Sequence, residues 1–109
     1  MAYDEILALR VQQILGDQSG LVSKKMFGGV GYMLEGNMAC GVHKESLIVR
    51  VGPDRNDEAL AKAHTRPFDI TGRPMAGWVM VAPEGCQADT DLEAWVKLGV
   101  DFALSLPAK

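Results

Sequence analysis

Along the first fifteen residues the apolar positions Tyr3, Leu7, Val11, Ile14 and Leu15 recur at steps of three and four, the spacing that places side chains on one face of a helix. A helix over residues 3–15 is predicted, with Gly16 placed to end it. From Val22 to Val51 the period changes to two. Strands are predicted near 23–27, 29–34, 38–43 and 46–51, with tight turns at Glu35-Gly36-Asn37 and His43-Lys44-Glu45.

The second half alternates element types. Pro53 and Asp54 open a weak helix around 57–63, whose one large apolar anchor, Leu60, predicts shallow packing. Pro67-Phe68-Asp69-Ile70 reads as a short strand and Thr71-Gly72-Arg73-Pro74 as a turn. Gly77-Trp78-Val79-Met80-Val81 then reads as a central or well-covered strand. A last helix carries Leu92, Trp95, Val96, Gly99, Phe102, Ala103 and Leu106 on one face. Thr90 and Glu93 have the spacing of a capping box at its start, and Pro107 stops it. These elements define an α+β class.

Length and composition narrow the picture. A chain of 109 residues with 48% hydrophobic and 23% charged residues builds one domain around one core, spanning 1–109. No apolar run approaches the roughly 20 residues that cross a bilayer, and the acidic N-terminus is no signal peptide, so a cytoplasmic location is expected. Two cysteines are too few for a disulfide framework.

Eleven basic against fourteen acidic residues give a net charge of −3, which sets direct nucleic-acid binding at a disadvantage. The charge is uneven, however. Lys24, Lys25, Lys44 and Arg50 outnumber Glu35 and Glu45 between residues 21 and 52. Lys24, Lys25, Arg50 and Arg73 are therefore the candidate interaction surface, on the expectation that neighbouring strands gather them on one exposed face.

The glycine-rich stretch 28–36 invites comparison with phosphate-binding loops and fails it. Gly31 and Gly36 have Walker A spacing, but Asn37 and Met38 stand where lysine and a hydroxyl are needed. Gly29-Val30-Gly31 meets Leu34 at the third glycine position of a dinucleotide fingerprint. Gly28, Gly29 and Gly31 instead suit a bulge, a strand corner or close backbone approach. Cys40 and His43, three apart on a strand, face opposite ways, so a shared metal is not expected. Neither Cys40 nor Cys86, the latter expected in a loop, has a nucleophile context. Asp89, Asp91 and Glu93 suit the first turn of a helix, where the dipole favours acidic groups. Phe27, Tyr32, Trp78 and Trp95 define an alternative, a small-molecule-binding sensor or minor enzyme with a pocket between the sheet and the last helix.

The order Met26-Phe27-Gly28-Gly29, Gly31-Tyr32, Gly36, Leu47 with Arg50 and Gly52, Pro67-Phe68, Met75, Gly77-Trp78, Val81, Leu92 and Trp95 resembles the TfoX N-terminal domain family, named for the Sxy/TfoX regulators of bacterial competence. The resemblance runs over nearly the whole chain. It implies a two-layer α+β domain, an antiparallel sheet of about five or six strands with N- and C-terminal helices packed on it, akin to secretion-chaperone-like folds. In it Met26, Phe27, Gly28, Gly29, Trp78 and Trp95 are structural positions. It further implies a cytosolic bacterial protein with no known cofactor and no established catalytic residue, acting by protein contact with transcription machinery. Full-length regulators of this kind carry a second, C-terminal domain, and this chain ends at Lys109, so a stand-alone member is expected. A monomer or a homodimer is expected.

Overall fold

A computed structural model describes residues 3–16, 18, 20–26, 28–68 and 76–107. Phe27, Arg73, Met75 and the expected turn at 71–74 lie outside them. The elements in chain order are α1 (Glu5–Leu15), β1 (Leu21–Met26), β2 (Gly29–Leu34), β3 (Asn37–His43), β4 (Ser46–Arg50), a 3-10 turn (Pro53–Arg55), α2 (Asn56–Leu60), β5 (Thr65–Pro67), β6 (Trp78–Val81), α3 (Pro83–Cys86) and α4 (Asp89–Ser105). The six strands form one antiparallel sheet in the order β1-β2-β3-β4-β6-β5, the α+β arrangement expected.

Period two sorts the strand residues onto two faces. Val30, Tyr32, Leu34, Cys40, Val42, Leu47, Val49, Val79 and Val81 face the helices, where Leu7, Val11 and Leu15 of α1 and Leu92, Trp95, Val96 and Val100 of α4 close over them. Complete burial of a valine or leucine side chain stabilises by about 1.5–3 kcal/mol, so this layer is the main source of stability. The opposite face carries a smaller cluster of Ile48, Phe68 and Met80, with Met38 and Trp78 packed against it.

The register slips once, between Tyr32 and Met33. Tyr32 pairs with Cys40 but Met33 pairs with Met38, so Ala39 is an extra residue in β3. This bulge presents the Ala39 carbonyl to α4, which passes so close that a Cβ on Gly99 would collide with that oxygen. Asn37, buried at the start of β3, donates from Nδ2 to the Pro107 carbonyl at 2.9 Å and ties the chain after α4 to the hairpin.

Several boundaries differ from expectation. The first helix starts at Glu5, because Tyr3 bridges to Lys44 and Asp4 serves as the cap, its Oδ1 accepting from the N–H groups of Ile6 at 2.9 Å and Leu7 at 3.1 Å. The capping box does not form. Helix α4 begins at Asp89 after Ala88, with no side-chain cap, and Arg10 holds Asp89 instead at 2.9 Å while also donating to the Gln87 carbonyl. Cys86 belongs to the short helix α3 rather than a loop, as Pro83 starts a single turn there. Helix α2 runs over 56–60, not 57–63: His64 adopts φ 64°, and the Thr65 hydroxyl donates toward the carbonyls of Ala59, Leu60 and Lys62, in and just after the helix's last turn. Strand β5 spans 65–67, ahead of the expected 67–70; Asp69 and Ile70 lie outside the described residues. No helix among the described residues is long and apolar enough to cross a membrane.

Candidate interaction site

The two edges of the sheet are built differently. Strand β5 is three residues long and contains Pro67, which has no N–H to offer, so that edge is blunted. Strand β1 is six residues, LVSKKM, paired only with β2. Its outer backbone edge is free among the described residues from Val22 on, while at its start the Leu21 N–H donates to the Gln18 carbonyl at 3.2 Å.

Alternation of the ladder identifies the groups on that edge. The two-residue turn Glu35-Gly36, with both residues at positive φ, closes at the Leu34–Asn37 pair, so the Leu34 backbone groups point to β3. Glu35 N–H reaches the Gly20 carbonyl at 3.1 Å on the other side. In an antiparallel ladder these directions alternate, so Val22, Lys24 and Met26 face β2, and the backbone groups of Leu21, Ser23 and Lys25 face outward.

Beside this edge lies a groove of about 640 Å³ between β1 and α1, lined by Tyr3, Ile6, Leu9, Gln12, Ser23 and Lys25 among others, with Val30 and Tyr32 reaching it from β2. Its apolar wall is exposed: Ile6 is 74% and Leu9 54% accessible. They lie three apart on α1, off the stripe that enters the core. Val22, 58% accessible, extends the apolar surface onto the other face of β1. Lys24 and Lys25 are exposed, neither has an ion-pair partner among the described residues, and Glu5 is the acidic residue of the lining.

The expected basic face is only partly assembled. Lys24 and Lys25 are consecutive, so Lys25 turns toward the groove with Val30, its partner in register, while Lys24 turns to the opposite face over Gly31. Arg50 is three strands away on β4. Its guanidinium carbon lies 5.1 Å from the centre of the Trp78 ring and 5.2 Å from that of Phe102, a position between two aromatic rings that gives it a structural role. Arg73 lies outside the described residues. Gly28 takes φ 75°, and Gly29 is a point of close approach, since a Cβ there would collide with the Val42 carbonyl. Sequence reasoning missed Ile6 and Leu9, although large apolar residues off the core stripe of an amphipathic helix were the available signal.

Of the residues of the alternative pocket, Phe27 lies outside the described residues, and Tyr32, Trp78 and Trp95 do not converge. Tyr32 and Trp95 are buried in the layer beneath the helices, with Lys62 Nζ 5.5 Å from the Trp95 ring, whereas Trp78 stands on the other face against Phe68 at 5.9 Å. Cys40 points into the core and His43 away from it, and among the described residues no three metal-ligating side chains cluster. Burial pushes the Cys40 thiol up to about 12, and burial likewise raises Cys86, the reverse of what a thiolate nucleophile needs.

The fold and its edge define a two-layer α+β domain with an exposed strand and helix side by side. The profile of the TfoX N-terminal domain matches residues 13–103, and the chain belongs to that family. The match includes β1 with Lys24 and Lys25, while Ile6 and Leu9 precede it. No curated protein and no solved structure matches the chain.

Proposed function

We propose that this domain is a non-enzymatic protein-interaction module, related in role to competence regulators and acting on transcription through protein contact. The observation that carries this reading is the edge of the six-residue strand β1, free from Val22 on among the described residues, beside the exposed Ile6 and Leu9. Long unpaired edges invite association, and proteins that do not use them shorten, bulge or cover them, as β5 is shortened here. The two exposed lysines add a charge that selects among partners. A protein contact suits this surface better than nucleic acid does, because the chain has an overall charge of −3 and its two strand lysines turn to opposite faces.

The test is recovery of partners from cells by the tagged chain, comparing wild type with Lys24→Glu/Lys25→Glu. The reading expects one or more specific proteins, a transcription factor or polymerase subunit among them, that the variant loses. Recovery of the same set by both chains would overturn the assignment of this surface.

A further inference from the structure

We propose that β1 accepts an extended segment of the partner protein as a seventh, antiparallel strand, and that this segment carries two consecutive acidic residues followed by two apolar ones. The inference rests on the interaction-module reading and specifies its chemistry. Strand addition to an exposed edge gains main-chain hydrogen bonds for affinity and side-chain pairing for specificity.

The register dictates the pattern. An added antiparallel strand exchanges hydrogen bonds with the outward backbone groups of Lys25 and Ser23. Its residue opposite Lys25 lies on the groove side, and the next, opposite Lys24, lies on the other face, so each lysine meets one of two neighbouring carboxylates. The third residue stands opposite Ser23 with its side chain toward the wall formed by Ile6 and Leu9. The fourth stands over the exposed Val22.

A second copy of this chain is a poorer occupant. Self-pairing through the same outward groups brings four lysines into one short ladder, and two of its registers set Lys24 against Lys24 or Lys25 against Lys25. Edge lysines are a recognised guard against such self-association, and the same charge attracts an acidic strand.

The experiment uses the full chain labelled with ¹⁵N and the end-blocked peptide Thr-Glu-Glu-Val-Val-Thr, with Thr-Lys-Lys-Val-Val-Thr as its counterpart. The acidic peptide is expected to slow amide exchange at Ser23 and Lys25 at least tenfold at saturation and to bind at least fivefold more weakly to Lys24→Glu/Lys25→Glu. N-methylation of the first Glu and first Val, whose backbone groups face β1, is expected to abolish the effect. N-methylation of the second Glu and second Val, which face away, is expected to preserve it. Equal binding of both peptides, shifts at Ile6 and Leu9 without slowed exchange at Ser23 and Lys25, or a dimer that protects those amides in the absence of peptide would overturn the proposal. So would the absence of binding at millimolar peptide. If a cellular partner is still lost in the lysine variant while the peptide fails, the interaction reading stands and strand addition falls.

Discussion

The phenolic O–H of Tyr32 on β2 donates to the backbone carbonyl of Ala8 on α1 at 3.0 Å, so the helix wall of the groove is fixed to the sheet that floors it. Both residues line the groove. Removing the hydroxyl with Tyr32→Phe keeps the ring in the core and loses one buried hydrogen bond, an expected cost of about 1 kcal/mol in urea unfolding.

Burial raises the Tyr32 phenol, with Cys40 and Tyr3 adding to the effect, from 10.0 to about 12, and burial raises the Cys40 thiol from 9.0 to about 12. The folded chain therefore holds protons that the unfolded chain releases. Stability from this source is complete below pH 9 and falls as the pH rises from 9 through 12. Urea midpoints measured across that range should decline, and Tyr32→Phe should make the decline between pH 10 and 12 shallower.

Gly99→Ala separates packing from helix propensity. Alanine favours a helix interior over glycine by roughly 1 kcal/mol, but its Cβ would collide with the bulged Ala39 carbonyl. Overpacking costs of about 1–3 kcal/mol are typical, and a backbone oxygen yields less than a side chain, so a net loss of about 1–2 kcal/mol is expected. An unchanged or raised midpoint would show that α4 can lift from β3 without cost.

Arg50, between Trp78 and Phe102, should behave as part of the scaffold. Arg50→Ala removes two cation–π contacts and the packing of the aliphatic stem, with an expected loss of about 1–2 kcal/mol. Arg50→Lys keeps the charge without the planar stack and should lose less. Lys24→Glu/Lys25→Glu, by contrast, should change stability by no more than about 0.5 kcal/mol, since both side chains are exposed and unpaired among the described residues.

The layered architecture was legible because the apolar period marks strands and helices directly: Leu7, Val11 and Leu15 enter the core as their spacing predicts, and β6 lies between β4 and β5 as its continuous apolar run predicts. The misread details depend on contacts distant in sequence. Thr90 and Glu93 have capping-box spacing, yet α4 starts two residues earlier, after Ala88, where Arg10, about eighty positions away, holds Asp89. Arg50 reads as a free charge until Trp78 and Phe102 are brought against it. The site was half legible: Lys24 and Lys25 are visible in the sequence, but which strand becomes an edge depends on the order of all six. The apolar wall of Ile6 and Leu9 follows from where α1 settles relative to that edge.

The most direct measurement is site-specific photo-crosslinking in cells, with benzoylphenylalanine at Val22 beside the free edge and, separately, at the exposed Glu93 on α4. The account expects an adduct from Val22 that maps to an acidic stretch of one protein and is absent from Glu93. Adducts at Glu93 with none at Val22 would contradict it and move the contact surface to the helices.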